Sequence, residues 1–155
     1  MTDLATLLDI RAIEQTYFLY CEAIDAKDFG RLAAVFSADA VQDYRSSNGI
    51  LQSGVAPLIE RLTRNMGHAS YCGATQHNIT NIRVTMTAEG ADTKAHFYAI
   101  HAGTGPFEGH RYSCWGQYED RWIRTADGWR IAERGYRNWH TEGPVAIIRG
   151  VGWEG

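Results

Sequence analysis

Six histidines, eight tyrosines and eighteen carboxylates are the side chains of this 155-residue sequence best suited to moving protons. What is missing narrows their chemistry. No GxSxG elbow presents a serine nucleophile, so acyl transfer ranks below proton transfer. No HxH or HExxH spacing marks a metal site, and the string GTGPFEG at Gly103 to Gly109 lacks both the glycine spacing and the following helix of a phosphate loop. Neither a metal nor an organic cofactor is expected. Cys21, Cys72 and Cys114 are odd in number and far apart, with no CxxC, which predicts buried free thiols rather than a disulfide framework or a zinc knuckle. General acid–base chemistry remains. A carboxylate on one imidazole nitrogen fixes the tautomer and leaves the other nitrogen as a base near neutral pH, while a phenol hydroxyl can protonate a leaving group or hydrogen-bond a developing oxyanion.

Such groups need a scaffold, and the apolar spacing predicts one. Leu4, Leu7, Leu8, Ile13, Tyr17, Tyr20, Cys21 and Ile24 recur at threes and fours, the period of a long amphipathic helix. Asp25 follows it, where an Asp ordinarily serves a turn or cap. Asp28 is placed to cap a second, shorter helix carrying Phe29, Leu32, Ala33 and Phe36. A short strand from Ala40 to Arg45 with Asp43 and Tyr44, a polar loop from Ser46 to Gly54, and a third helix from Val55 to Met66 complete the first half.

From about Thr75, alternation replaces helical spacing. Strands are predicted from Thr75, with His77 near the start, then over Thr93 to His101, Arg111 to Arg124 and Trp129 to Trp139, making two hairpins. His101 shares parity with Phe97 and Ala99, which suits an inward position, and His96 lies on the opposite parity. Ser113, Trp115 and Gln117 share one face of their strand, Tyr112, Cys114 and Tyr118 the other. Bulges in a bent sheet shift parity, so either face could be inward; Ser113 and Trp115 are the expected substrate contacts, with Phe97 and Asp43. Trp115 and Trp139 are expected to pair across the last hairpin. Arg121, Arg124, Arg130 and Arg134 should form a solvated ladder with Glu119, Asp120 and Glu133.

The predicted class is α+β: helices packed on a strongly curved mixed or antiparallel sheet, with a cone-shaped pocket between the layers. Residues 1–142 form one domain, and 143–155 an apolar, glycine-hinged tail that either covers the pocket or meets a neighbouring subunit. Hydrophobic residues at 45%, with 5 Trp, 8 Tyr and 5 Phe, suffice for a core and a lined cavity. Fifteen basic against eighteen acidic residues, without a Lys/Arg block, argue against nucleic acid as a partner. No apolar run has the length of a membrane span and the N-terminus lacks the order of a signal peptide, so a cytoplasmic protein with a small-molecule substrate and no membrane partner is expected.

The strings YCEAIDAKDFGRLAAVFSADAVQDY, QHNITNIRV and RYSCWGQYEDRWIRTADGWRIAERGYRN, in this order over roughly residues 5 to 140, resemble the SnoaL-like branch of the NTF2-like (cystatin-like fold) superfamily. Within it the sequence is most similar to the scytalone dehydratases, the bile-acid 7α-dehydratases and the hexachlorocyclohexane dehydrochlorinases. That resemblance implies an Asp–His dyad, Asp25 orienting and His77 taking the proton. It further implies that Tyr44 and His101 match the Tyr and second His of scytalone dehydratase, and that Tyr20 matches a pocket Tyr of the bile-acid enzyme. Departures are Ile24, where scytalone dehydratase has a Tyr, and the missing counterpart of the dehydrochlorinase's pocket Lys.

The expected function is a cofactor-independent lyase, of dehydratase or dehydrohalogenase type, acting on a small cyclic, largely apolar substrate. Relatives of this kind imply a homodimer or homotrimer. Alternatives are a ketosteroid-isomerase-like enzyme using Asp43 as base with Tyr20 as oxyanion donor, a polyketide-cyclase-like enzyme, a non-catalytic binding protein, and a metal triad of Asp25, His77 and His101.

Overall fold

The computed structural model describes residues 3–154. The Asp3 carboxylate accepts the Thr6 N–H at 2.7 Å and caps α1, Leu4–Asp25, whose later turns bury Ile13, Tyr17, Tyr20, Ala23 and Ile24. A 3-10 turn, Phe29–Ala34, follows in place of the expected short α-helix, and Asp28 makes no side-chain cap there. Phe36 belongs to strand β1, Phe36–Tyr44. The expected polar loop is instead a one-turn helix α2, Arg45–Asn48, ended by Gly49 at φ 73°, and a short strand β2, Ile50–Ser53, which hairpins back on β1. Helix α3 spans Val55–Met66.

Four long strands then form a continuous meander of three hairpins: β3 Cys72–Met86, β4 Ala91–Gly103, β5 Arg111–Thr125 and β6 Gly128–Glu142. The six strands are ordered β2-β1-β6-β5-β4-β3, with β1 parallel to β6 and every other pair antiparallel. Register shifts break β3 between Cys72 and Thr75 and between Thr80 and Arg83, and the β5–β6 ladder at Trp115/Gly116 and Arg121/Trp122. Such bulges bend a sheet and re-aim side chains. At Gly116 a Cβ would lie 1.9 Å from the Arg137 carbonyl oxygen, so this close approach requires glycine.

β5 alternates without interruption, its register with β4 unbroken, and Tyr112, Cys114, Tyr118, Asp120 and Trp122 are buried beneath the helices; the residues skipped in the β5–β6 ladder are Ala132 and Trp139 of β6. Trp115 faces outward and packs on His140, with ring centroids 4.3 Å apart, while Trp139 packs on His96 at 5.1 Å, so the two tryptophans do not pair. The apolar stripe of α1 also outruns the core. Asp9 meets the β5–β6 hairpin through Trp129 Nε1 at 3.2 Å and through Arg124, and Leu4, Leu7 and Leu8 before it are exposed. Among the described residues no helix is long and apolar enough to cross a membrane.

Arg134 does not join the solvated ladder. It is fully buried, its guanidinium bonded to both oxygens of the equally buried Asp120 at 2.8 to 3.3 Å. Tyr17 donates to the same carboxylate at 2.8 Å and shares a 2.6 Å hydrogen bond with Thr93, which also accepts Trp122 Nε1 at 2.9 Å. One network thus links α1, β4, β5 and β6 under the aromatic layer. Removing one partner of a buried pair strands the other charge at a cost of about 3–5 kcal/mol, whereas an exposed pair contributes about 0–1 kcal/mol. Urea unfolding should therefore show Asp120→Ala losing stability on the first scale and Arg121→Gln, whose pair with Glu133 is exposed, on the second.

Candidate functional site

Helix α1 ends where chemistry can begin. The Ala26, Lys27 and Asp28 N–H groups bond back to Glu22, Ile24 and Ala23, with Lys27 at φ 55°, so the chain turns sharply after Asp25. Lys27 Nζ donates to the Met66 carbonyl and, at 2.8 Å, to the Cys72 carbonyl, tying this corner to the end of α3 and the start of β3. The Asp25 carboxylate is thereby held against β3 by three donors. Oδ1 accepts the Thr75 hydroxyl and His77 Nδ1, each at 2.7 Å, and Oδ2 accepts the His77 backbone N–H at 3.0 Å. A carboxylate so placed fixes His77 with its proton on Nδ1 and leaves Nε2 as the lone-pair nitrogen.

The electrostatics favour an ionised Asp25. Burial pushes its carboxyl up, but the His77 ring, the His77 backbone N–H and Thr75 together outweigh burial and hold it below the ordinary range. His77 is 11% exposed and Asp25 28%. His101, on β4, stands with its ring centroid 5.2 Å from that of His77. Burial, reinforced by the neighbouring His77, drives its pKa down to about 3. His101 is therefore neutral, and its Nδ1 donates to the Tyr112 carbonyl at 3.2 Å.

Around these groups lies a cavity of about 110 Å³. Its sheet side is formed by His77, Phe97, Ala99, His101, Cys114, Tyr118 and Tyr136, and its helix side by Tyr20, Ile24, Leu62 and Met66, with Tyr44 from the end of β1. Tyr20 and Tyr118 share a 3.3 Å hydroxyl contact, and the Arg134 guanidinium lies 4.5 and 3.9 Å from their ring centroids. Burial, with added repulsion from Tyr44, raises the Tyr20 pKa, so its phenol stays protonated. The α2 residues Ser47 and Asn48, the α3 residues Arg61 and Asn65, and the tail residues Ile148 and Arg149 complete the wall.

The fold thus brings together six residues singled out by sequence: Asp25, His77, Tyr20, Tyr44, His101 and the expected substrate contact Phe97. Three others stand elsewhere. Asp43 points to the outer side of β1, where its carboxylate grips Arg45 at 2.8 and 2.9 Å and is held down to about 2 by that contact. It cannot act as a base on anything bound in the cavity, which removes the isomerase reading built on it. Ser113 and Trp115 face outward because β5 presents Cys114 and Tyr118 inward. Among the described residues no three His, Cys, Asp or Glu side chains converge as metal ligands would. Sequence reasoning missed Arg61, Tyr136 and Arg149. A signal existed for the first: Leu58, Arg61, Leu62, Asn65 and Met66 fall on one face of α3 at helical spacing, so Arg61 and Asn65 interrupt an apolar stripe.

Residues 5–135 match the SnoaL-like domain family. A relative, the uncharacterized protein Rv2910c of Mycobacterium tuberculosis, is 32% identical over 138 residues, covering 86% of this chain and 88% of its own. A crystal structure from Novosphingobium aromaticivorans DSM 12444, provisionally described as a scytalone dehydratase, is similar with a TM-score of 0.79 and 25% identity, over 96% of this chain and 97% of that one. The hexachlorocyclohexane dehydrochlorinase LinA-type3 of Novosphingobium barchaimii LL02 shares the fold, with a TM-score of 0.76 and 17% identity over 92% and 94%.

His101 offers a test of this electrostatic picture. Unfolded, it binds a proton near pH 6.5; folded, it does not until about pH 3. Between those values the unfolded state holds more protons, so its contribution to stability is complete above pH 6.5 and is lost as the pH falls, by up to about 1.4 kcal/mol per pH unit. His101→Asn should flatten the pH dependence of urea unfolding between pH 6.5 and 4 relative to the parent.

Proposed function

Because the chain belongs to the SnoaL-like domain family and has the NTF2-like α+β fold, we propose that it is a cofactor-independent lyase that eliminates water, or a comparable small leaving group, from a small cyclic substrate. The observation that carries this reading is the Asp25–His77 pair on the wall of an aromatic cavity. The reaction class draws on the dehydratase and dehydrochlorinase descriptions of the two structural neighbours. At about 110 Å³ the cavity is on the scale of a single ring, since an apolar cavity of about 150 Å³ holds benzene.

In this reading His77 Nε2 removes a proton from a carbon acidified by an adjacent carbonyl or leaving group. The electron pair of that C–H bond becomes the new C=C bond as the neighbouring C–O bond breaks. Asp25, already hydrogen-bonded to Nδ1–H, stabilises the imidazolium, as an ionised partner must. Tyr20 and Tyr44, both at the cavity, are the donors for the departing oxygen or for a carbonyl oxygen gaining enolate character. The Arg134 guanidinium near the Tyr20 ring would stabilise negative charge drawn onto that phenol. His101, kept neutral by burial, assists as a hydrogen-bonding group rather than as a charged acid.

We also propose that the outer sheet face, where Tyr98 and Trp139 are exposed, is where copies associate as a dimer or trimer; sedimentation velocity giving monomer at every concentration contradicts this. For the chemistry, a panel of cyclic β-hydroxy ketones followed by ultraviolet absorbance should yield the conjugated alkene. On any substrate turned over, His77→Ala should lower kcat/KM by at least ~10²-fold, the lower range for a lost general base. Undiminished turnover in that variant overturns the assignment, and saturable binding without product points to a carrier.

A further inference from the structure

Arg61 is a buried cation without an anion. Only 9% of it is exposed, and among the described residues its guanidinium has no hydrogen-bond partner and no carboxylate within ion-pair range; its Nε is buried and unsatisfied. Arginines elsewhere in the chain, the exposed Arg31 and Arg121 and the buried Arg134, all reach carboxylates. A buried, unpaired guanidinium carries a desolvation penalty that folding alone does not repay. Its one aromatic neighbour, the Tyr44 ring at 4.8 Å, supplies a cation–π contact but no acceptor oxygen.

A second guanidinium shares this side of the cavity. Arg149, carried in by the tail, has its Nε buried and, among the described residues, unsatisfied as well, and its one hydrogen bond to them is a long one, Nη2 to the Ser47 carbonyl at 3.4 Å. Among the described residues no Asp or Glu lines the cavity with the two arginines, and Asp25 is committed to Thr75 and His77. Two under-coordinated planar forks beside a ring-sized aromatic space suit an oxyanion attached to a ring, and the fork geometry of arginine matches a carboxylate in bidentate fashion.

We propose that Arg61 and Arg149 form an anion-binding subsite, and that the substrate class is a small cyclic carboxylic acid whose carboxylate sits on these arginines while its ring lies among Phe97, Tyr118 and Tyr136. This rests on the cavity being the substrate site but not on the elimination chemistry assigned to it. The carboxylate anchors one end of the ligand on the helix and tail side, and the ring then lies against the sheet side that carries His77. The tail thereby contributes a specificity-determining residue, Arg149, in addition to covering the cavity.

The test is a calorimetric titration of the full chain with benzoate, with its neutral isostere benzamide, and with inorganic phosphate. Benzoate should bind at least ~10-fold more tightly than benzamide, the effect expected of one charge-assisted bidentate contact. Arg61→Gln should erase that preference and Arg149→Gln should reduce it. His77→Ala should leave it intact, so that a failure of the lyase reading is told apart from a failure of this one. Removing an unpaired buried charge should not lower the melting temperature of Arg61→Gln; were that variant to misfold, loss of preference in Arg149→Gln carries the test. Equal affinity for benzoate and benzamide, a preference that survives in both arginine variants, tighter binding of phosphate than of benzoate, or no saturable benzoate binding would each overturn the proposal.

Discussion

One carboxylate joins the two halves of this molecule at the point where its chemistry is proposed to occur. Asp25 ends α1, and its two oxygens take the Thr75 hydroxyl, the His77 backbone N–H and the His77 ring. The first two bonds dock the helix on β3, and the third sets the tautomer of the imidazole. Because one group does both, the position of His77 relative to the cavity follows from how α1 packs. Lys27 reinforces this by bonding the carbonyls of Met66 and Cys72, so helix end, α3 end and strand start meet at one corner.

The remainder of the fold braces the layer beside that corner. Beneath the aromatic layer, the buried Arg134–Asp120 pair with Tyr17, Thr93 and Trp122 fixes α1 to three strands, and its guanidinium lies close to the Tyr20 and Tyr118 rings. Buried charge is an inefficient way to gain stability, since a well-packed apolar replacement is often as stable. What it supplies here is a positive group beside two protonated phenols, which would suit the proposed elimination, in which negative charge grows on oxygen. The unpaired Arg61 extends the same logic to binding: the protein carries a penalty in its free state that a bound carboxylate would relieve.

Much of the scaffold was legible because it depends on local periodicity. The three-and-four spacing through Ile13, Tyr17, Tyr20 and Ile24 places α1, and the alternation from Thr75 onward places the meander. The Asp25 and His77 positions came from the resemblance of short strings in the right order, not from spacing. What failed depends on longer range. β5 alternates regularly, so its own spacing leaves both faces open, and only its place in the sheet beneath the helices puts Cys114 and Tyr118 inward and Ser113 and Trp115 outward. The residues skipped in the ladder are Ala132 and Trp139 of β6, and no local pattern announces which residue a bulge will skip. Asp43 and Tyr44 are adjacent, so the strand necessarily sends one of them outside. Arg134 and Asp120 both belong to the expected surface ladder by spacing, yet they pair on the buried face, and the residue skipped at Ala132 shifts the parity of β6 just before Arg134. Leu4, Leu7 and Leu8 continued a stripe whose partner surface had already ended.

The central claim is that Asp25 holds His77 with its proton on Nδ1 and its lone pair on Nε2. Nitrogen-15 NMR of the histidine rings tests this directly, in the free protein at a pH where the His77 ring is neutral. The account predicts that His77 is the Nδ1–H tautomer, and that Asp25→Asn shifts it toward Nε2–H or into exchange between the two forms. An Nε2–H ring in the unaltered protein, or a tautomer indifferent to Asp25→Asn, would contradict it.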